Sequence, residues 1–512
     1  MPRFMSVASA APPSVAMTPE VIAPPVRPTE AVLVNVASSP SFESAPVTLN
    51  LPSNSLLISA PGKPQSVPVF NPRPYQVLGS AMLLGFAAAG LATGWWSVVR
   101  GPDLVQRTDN VRRSINDRYV LRGALLSQDE APLSISRGEP GSYQREYDYP
   151  ALGAILGYTD PTYGQAGLEY SLDSYLRGLQ GNSQLAVWWN HLVYGQPPPG
   201  LDVRLSLDLD LQRRADALLG EHQGALVLLN AESGEILAMA SHPTFDANRL
   251  GETWENLVSD PGSPLFNRAT LGLYPTGAAM GGMLLAAQAD PGNLPSASAI
   301  DLSGCAMPPE SREWGALLSA GCPGAVRALG ELLKVEGVES LFERLGTSTA
   351  PELDLPTAAW PVVQGWSEAS TAALGLPDPA TGDKLLVSPL QMALAAAALS
   401  NGGVRPIPIM AVAVDTPQAG WVILSPKAQP VTVFDAVAAE AASSLLSIPD
   451  LPAWQVTASA QDVDGNAYTW YLAGTQPGWP GAPLALALLI EAHDPQGVTA
   501  MGEALLEEAM QP

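Results

Sequence analysis

The sequence predicts an α+β protein anchored by a single membrane-spanning helix, and three stretches support this prediction. Residues 75–99 contain no charged side chain, and an apolar run of that length can cross a bilayer as a helix. Residues 224–229 and 235–240 are short apolar runs on either side of a turn, which predicts a hairpin of two strands. The alanine-rich run that ends at Leu399 favours a helix. The chain therefore combines one membrane segment with a region of mixed strands and helices.

Composition shifts along the chain predict four parts. Residues 1–74 are rich in Pro, Ala, Val and Ser and poor in aromatic residues, which is typical of a disordered tail. Residues 75–99 are the predicted transmembrane helix. The proline-rich stretch Gln196–Gly200 indicates a linker. We therefore predict one domain over residues 100–200 and a second over residues 201–512.

Charge and cysteine content exclude some functions. The 512 residues carry 25 basic and 49 acidic side chains, a formal charge of -24, which argues against nucleic acid as a partner because the phosphate backbone requires clustered Lys and Arg. The sequence has no paired His or Cys-x-x-Cys spacing for a metal and no phosphate-binding glycine loop, so no cofactor is expected. Cys305 and Cys322 are the only cysteines. They form either a disulfide, if they lie outside the cytoplasm, or two unpaired buried thiols.

Local signals define several element boundaries in residues 201–512. Val203–Leu207 alternates apolar and polar residues, which predicts a strand, and Asp208 is placed to cap the helix that follows. Ser388 is placed as another N-cap, and Gln391 can complete a capping box with it. Asn401–Gly403 is a stop signal for that helix.

One segment resembles the nucleophile region of class B penicillin-binding proteins, the membrane-anchored transpeptidases that crosslink peptidoglycan. In that family Asn-Arg-Ala leads through Tyr-Pro-x-Gly into Ser-x-x-Lys at the start of a helix. The matching residues here are Asn267, Arg268, Ala269, Gly272, Tyr274, Pro275 and Gly277. Ala278 stands at the serine position and Gly281 at the lysine position. Alanine has no lone pair with which to attack, and glycine has no amine to act as a base.

The other two family motifs are also incomplete. Ser-x-Asn corresponds to Ser319-Ala320-Gly321, in which the serine is present and the asparagine is missing. Lys-Thr-Gly corresponds best to Val456-Thr457-Ala458, because the following residues through Glu491 keep the family's spacing. The missing lysine would normally bind a substrate carboxylate, and Ala458 adds bulk where the family has glycine.

The resemblance extends to the N-terminal module of the family, called the pedestal. Arg122–Asp129 is similar to the family's Arg-Gly-x-Ile-x-Asp-Arg-Asn segment, with Ser127 at the aspartate position, and Gly167–Tyr170 is similar to its Gly-Leu-Glu segment. We expect Glu169 to have a structural role there. Residues 384–403 also match the family and are expected to be scaffold.

The resemblance implies a fold, a location and partners. The implied fold is an elongated pedestal followed by a transpeptidase-like domain with helices on both sides of an antiparallel sheet. The implied location is the bacterial cytoplasmic membrane, with a cytoplasmic tail and an extracytoplasmic C-terminal part. The basic residues favour the opposite orientation, since four arginines follow the span within residues 100–113 and only Lys63 and Arg73 precede it closely. Large domains cross despite such charges, so we expect the family orientation. A membrane glycosyltransferase of the cell-wall machinery is the expected partner, and a peptidoglycan stem peptide is an expected ligand.

Three functional hypotheses follow. The first is a catalytically inactive relative that acts as a scaffold or regulator in cell-wall synthesis. The second is an active transpeptidase or acyl hydrolase that uses a relocated serine, Ser319 or Ser459, although neither has a lysine close in sequence. The third is a sensor that binds stem peptides without turnover. His242 is not expected to be catalytic, because no serine or cysteine motif accompanies it.

Overall fold

The computed structural model describes residues 72–96, 119–194, 198–288, 290–360 and 385–511. Contacts divide the chain into two units, Met1–Trp96 and Ser97–Pro512. In the first unit, the predicted transmembrane segment is helix α1, Arg73–Trp95, which has no buried residue. Among the described residues it is the one helix long and apolar enough to cross a membrane. It begins two residues before the predicted span, and the prediction for the tail lies almost entirely outside the described residues.

The second unit contains the strands and the remaining helices. The strands are β1 Leu125–Leu126, β2 Pro132–Arg137, β3 Gln144–Tyr147, β4 Thr159–Asp160, β5 Gly164–Gln165, β6 Val203–Leu205, β7 Gly224–Asn230, β8 Ile236–His242, β9 Tyr274–Pro275, β10 Leu386–Val387, β11 Val404–Arg405, β12 Ala411–Thr416, β13 Gly420–Ile423, β14 Val431–Thr432, β15 Ala453–Gln461, β16 Ala467–Thr475 and β17 Leu484–Ile490. The helices are α2 Gly153–Leu156, α3 Gly167–Ser171, α4 Asp173–Leu176, α5 Gln184–Tyr194, α6 Leu209–Leu219, α7 Leu250–Ser259, α8 Gly281–Ala286, α9 Trp314–Ser319, α10 Pro323–Leu345, α11 Pro389–Ser400, α12 Ala436–Leu445 and α13 Pro495–Ala509.

A five-stranded antiparallel sheet forms the centre of residues 201–512. Its order is β15-β16-β17-β7-β8, and the predicted hairpin is the β7–β8 pair. Alternate residues of the apolar strand β17 face opposite sides, as the period of two requires. Ala487 and Leu489 belong to one core and Leu486 and Leu488 to the other. Both faces are therefore covered, which explains why this strand is uniformly apolar.

Helices cover the two faces of this sheet. Helix α11 packs on one face, where all twelve of its residues are buried. Helices α6 and α13 pack on the other face. The α+β prediction, with an antiparallel sheet between helices, is confirmed.

A second, mixed sheet contains three of the strands that precede residue 201, β1, β2 and β3, while β4 and β5 pair only with each other. Its order is β13-β12-β6-β1-β2-β3, so it joins strands from both predicted domains. Strand β1 pairs in parallel with β6. The β1–β2 pair and the β6–β12 pair are antiparallel. These strand pairings do not test the predicted boundary at residue 200. The division into domains therefore stays a prediction.

The local signals acted as predicted. Asp208 accepts hydrogen bonds from the amides of Asp210 and Leu211 at the start of α6. Ser388 and Gln391 form a complete capping box at the start of α11. The strand predicted over Val203–Leu207 is shorter and ends at Leu205. The amide of the next residue, Ser206, still donates to the carbonyl of Met410, and its hydroxyl lies 2.7 Å from the carbonyl oxygen of Ile236.

Candidate functional site

The segment that resembles the nucleophile motif begins as a strand and continues into a helix. Strand β9 is followed by a 3₁₀ turn over Gly277–Met280 and then by α8. Ala278 lies in the 3₁₀ turn and is 0% exposed. At the position where a nucleophile would stand, the protein therefore has a methyl group that solvent does not reach.

The residues that match the family around this segment hold it against the central sheet. The guanidinium of Arg268 donates from Nε to Glu491 Oε1 over 2.8 Å, and the hydroxyl of Tyr274 donates to the same oxygen over 3.0 Å. The indole of Trp470 donates to the carbonyl of Pro275 over 2.8 Å. Burial, and then the charge of Glu491, raise the pKa of Tyr274 well above its usual value, so the hydroxyl keeps its proton. These residues therefore have a structural function that does not depend on catalysis.

The second motif position lies in a tight loop between α9 and α10. Ser319 is the last residue of α9 and is half-buried. Gly321 has a φ of +62°, and a Cβ added there would lie 2.1 Å from the carbonyl oxygen of Thr457. An asparagine does not fit here, because its Cβ would overlap the backbone of β15, although asparagine tolerates a positive φ.

The third motif position lies on β15, at the edge of the central sheet. Val456 and Ala458 are fully buried in the same core as Met283 of α8. Thr457 points to the opposite face, where its hydroxyl lies 2.6 Å from that of Thr499 in α13. At the position where the family has the lysine that binds a substrate carboxylate, this protein therefore has a valine inside the core.

Apolar side chains fill the space between the three motifs. A Cβ added to Gly281 would lie 2.9 Å from Leu318 Cδ2 and 3.3 Å from Val326 Cγ2. A Cβ added to Gly282 would lie 3.9 Å from Val456 Cγ2. A lysine at position 281 would have to place its ammonium among these carbon atoms.

The structure brings the predicted positions into one region. The 3₁₀ turn, α9 and the loop after α9 all contact β15, and α8 contacts α10. The positions gathered there are Ala278, Gly281, Ser319, Gly321, Val456 and Ala458. The segments that resemble the three family motifs therefore meet in one region with an apolar interior, and the functional roles of these residues stay predictions.

Neither of the two lysines in the described part of the chain is placed to act as a base in this region. Lys334 is exposed on α10, where it has a φ of +61° and kinks the helix. Lys427 donates to Asp354 over 2.6 Å. Lys63 and Lys384 lie outside the described residues. Activation of a serine by a neighbouring lysine, as in Ser-x-x-Lys, has no support in the described part of the site.

One serine has a histidine beside it. Ser459 Oγ lies 3.3 Å from His493 Nδ1, on the opposite face of β15 from Ala458. The two residues are 34 positions apart, and no motif in the sequence pointed to the pair. Among the described residues no carboxylate hydrogen-bonds to His493 to orient its ring, so the pair lacks the third member of a catalytic triad.

Two other candidate acid–base residues are structural. Glu169 is fully buried and pairs with Arg122 and Arg145, each over 2.7 Å. Burial by itself raises the pKa of Glu169, but the charges of the two arginines outweigh burial and lower it. His242 is buried, with Nε2 and Nδ1 each 2.9 Å from an acceptor, Asp216 Oδ1 and the carbonyl of Gly220 respectively. Neither residue lies in the motif region, as expected.

A disulfide joins Cys305 to Cys322, directly after the second motif. Of the two arrangements that the sequence left open, the structure has the disulfide. Cys322 is fully buried at the start of α10, so the bond fixes the loop that contains Gly321. No group of three or more His, Cys, Asp or Glu in the described ranges could hold a metal.

Comparison with known proteins agrees with the resemblance that the motifs predicted. Residues 122–203 match the family model of the penicillin-binding protein A dimerisation domain, and residues 324–452 match that of the penicillin-binding protein transpeptidase domain. The resemblance to penicillin-binding proteins is therefore confirmed over these two regions. The transpeptidase match begins after Gly321 and ends before Val456, so it includes none of the six motif positions.

Relatives and solved structures agree with this assignment. The chain is 28% identical to the peptidoglycan D,D-transpeptidase PbpA of Mycolicibacterium smegmatis over 333 residues, 58% of this chain and 67% of that protein. It is 32% identical to the peptidoglycan D,D-transpeptidase MrdA of Escherichia coli strain K12 over 166 residues, 31% of this chain and 23% of that protein. Its fold matches penicillin-binding protein A from Mycobacterium tuberculosis, solved as an imipenem acyl-enzyme complex, with a TM-score of 0.65 and 21% identity over 78% of this chain and all of that one.

The side chains that fill the site could not be predicted from the sequence. Leu318 and Val326 precede and follow the second motif, and both are fully buried beside Gly281. An apolar residue next to a motif is ordinary helix composition, so neither residue gives a signal in the sequence. The spacing of the motifs gave the location of the site but not what fills it.

Proposed function

We propose that this penicillin-binding protein acts in peptidoglycan synthesis without catalysing transpeptidation, as a scaffold or regulator of a membrane glycosyltransferase. One observation carries the proposal. Ala278 is fully buried, and Gly281 lies against Leu318 and Val326, where the base would have to stand. The interior has therefore been packed as a hydrophobic core, whereas a serine acyltransferase needs a nucleophile and a base that are open to substrate.

The proposal places α1 in the cytoplasmic membrane and the C-terminal part outside the cytoplasm. The apolar, fully exposed helix Arg73–Trp95 supports an anchor of this kind. The Cys305–Cys322 disulfide supports an oxidising compartment for the second unit. Copurification of the full chain with the cell-wall glycosyltransferase of its host tests the partnership, and the absence of any such complex after mild crosslinking would remove the regulator role.

Labelling with a fluorescent penicillin tests the absence of chemistry. The purified full chain in detergent is incubated with the reagent beside penicillin-binding protein A from Mycobacterium tuberculosis, which forms acyl-enzyme complexes. We expect a labelled band for the control and none for this chain after denaturing electrophoresis. A stable labelled band from this chain would contradict the proposal.

The contact between Ser459 and His493 gives the second candidate function, an acyl hydrolase, a specific test. If the chain is labelled, Ser459→Ala and Ser319→Ala are compared in the same assay. Loss of label in one variant alone would identify that serine as the nucleophile. Retention in both would point to a residue elsewhere.

Binding of a stem peptide without turnover is disfavoured by the third motif. Val456 leaves no cation for a terminal carboxylate, and its side chain is buried. Calorimetry of the full chain with stem pentapeptide is therefore expected to show no heat of binding at millimolar ligand, and a saturable isotherm would revive the sensor hypothesis.

A further inference from the structure

Helix α5, Gln184–Tyr194, presents a stripe of large apolar side chains to solvent. The stripe consists of Leu185, Trp188, Trp189, Leu192 and Val193, whose exposed fractions range from 48% to 72%. Its members are spaced i, i+3, i+4, i+7 and i+8, which is the spacing by which a surface helix faces a core. Here the stripe faces away from the core, and the half-buried face of the helix carries Ala186, Val187 and Asn190. Along this helix, the large apolar side chains therefore lie on the solvent side.

The segment that contains the stripe carries no formal charge. Between Arg177 and Asp202 the sequence has no Asp, Glu, Lys or Arg, although the whole chain carries a formal charge of -24. Electrostatic attraction therefore contributes little to whatever covers the helix. An isolated helix of this length is marginal in water, so a partner that buries the exposed stripe would stabilise α5.

The helix lies where the chain enters the second unit from the membrane segment. The amide of Gly200, just after the helix, donates to the carbonyl of Leu121 over 2.8 Å, and the amide of Gly123 donates to Leu176 before the helix over 2.8 Å. The entering residues Tyr119 and Leu121 are themselves 48% and 43% exposed. Only residues 97–118 separate this corner from α1, a reach of roughly 80 Å at most when fully extended.

We propose that α5 is a membrane-interface helix, which inserts its apolar stripe into the headgroup region of the bilayer that α1 crosses. The inference rests on the proposed membrane anchor. Adjacent Trp188 and Trp189 suit this depth, because an indole has an apolar body and one donor and is enriched at the membrane–water boundary. The lack of charge means that the helix binds by burial of apolar surface and does not require anionic lipid. A helix docked in this way holds the second unit close to the membrane at its entry corner.

Fluorescent labels placed on the full chain test the proposal. The two native cysteines are joined in a disulfide, so a single introduced cysteine can be labelled selectively with an environment-sensitive dye. Leu185→Cys and Leu192→Cys probe the stripe. Val437→Cys on α12 is the matched control, because Val437 is 73% exposed and Leu185 is 72% exposed. Leu84→Cys in α1 reports whether the anchor has inserted.

Each labelled chain is reconstituted at one copy per nanodisc of zwitterionic lipid, with and without quencher-bearing lipids. The quencher is near the headgroup for positions 185, 192 and 437 and deep in the acyl chains for position 84, which is the middle of α1. We expect blue-shifted emission at positions 185 and 192 and a quenched fraction several times that at position 437. Quenching at position 84 without quenching at 185 and 192 would overturn the inference and leave the anchor intact. No quenching at position 84 would overturn both. A blue shift at 185 and 192 without lipid quenching would mean that protein covers the stripe, which would also overturn it.

Discussion

Gly281 shows how a single residue decides what the site can do. Its Cα lies in the first turn of α8, and the space in front of it is taken by Leu318 and Val326. A side chain here must displace carbon atoms before it can meet a substrate. The nucleophile position, Ala278, is close in sequence and equally buried. Under the proposed function, the missing reactive groups and the apolar packing therefore concern the same few residues.

Restoring the lysine is expected to damage the fold. Gly281→Lys buries an ammonium without a partner, and an uncompensated buried charge costs on the order of 3–5 kcal/mol of unfolding free energy. Gly281→Ala is the control, since its methyl group needs only a shift of the Leu318 terminus and gains about 1 kcal/mol of helix propensity. Chemical denaturation of the two variants in detergent measures the difference. Equal stability of both would show that the interior is more open than the packing indicates.

At the scale of elements, a buried ion cluster joins β2, β3 and α3. Glu169 of α3 accepts from Arg122, from Arg145 on β3 and from the hydroxyl of Ser134 on β2. Three separate elements therefore meet on one carboxylate. Because each donor depends on it, the cluster fixes their relative positions more than it adds net stability.

Glu169→Gln is expected to destabilise the protein by about 3–5 kcal/mol, because it leaves the buried guanidinium of Arg145 without its counter-charge and Arg122 with Asp173 alone. Glu146→Gln is the matched control. Glu146 pairs with Arg137, but both side chains are at least half exposed, and such surface pairs contribute about 0–1 kcal/mol. Thermal unfolding monitored by circular dichroism measures both variants. A loss of similar size in the two variants would mean that Glu169 contributes no more to stability than an exposed ion pair does.

The sequence predicted those elements that have local signals. The capping box at Ser388, the helix cap at Asp208 and the hairpin of β7 and β8 were all visible, because each depends on neighbouring residues. The contact of Ser459 with His493 and the position of Leu318 before Gly281 were not visible. They depend on how distant segments meet, and a serine, a histidine or a leucine in isolation carries no such information.

At the scale of the whole molecule, buried groups and net charge set the response of stability to pH. Burial lowers the pKa of His242, but its hydrogen bonds to Asp216 and Gly220 and the charge of Asp216 raise it above 6.5 overall. The stabilisation that follows is complete below pH 6.5 and is lost as pH rises through the raised pKa. The lowered pKa of Glu169 has the opposite effect: its stabilisation is present above pH 4.5 and is lost as pH falls through the lowered pKa. Mutual repulsion in a chain of charge -24 also favours mildly acidic conditions.

We therefore expect maximal stability between about pH 4.5 and 6.5, and His242→Gln isolates the contribution of the histidine. The difference in unfolding free energy between the unsubstituted chain and His242→Gln should be largest below pH 6.5 and should shrink at higher pH. His222→Gln, which changes an exposed histidine, is the control and should leave the profile unchanged. A difference for His242→Gln that stays constant from pH 5 to pH 9 would contradict the assignment.

The apolar filling around Gly281 also bears on evolution. Under the proposed function, a return to transpeptidation would need a serine at position 278, a lysine at 281 and smaller residues in place of Leu318 and Val326. The serine alone buries a hydroxyl without a partner, the lysine alone buries a charge, and a smaller residue alone leaves a cavity, and each of these costs stability. The ancestral reaction is therefore separated from the present protein by intermediates that fold less well. Loss of activity in this lineage would act as a one-way step.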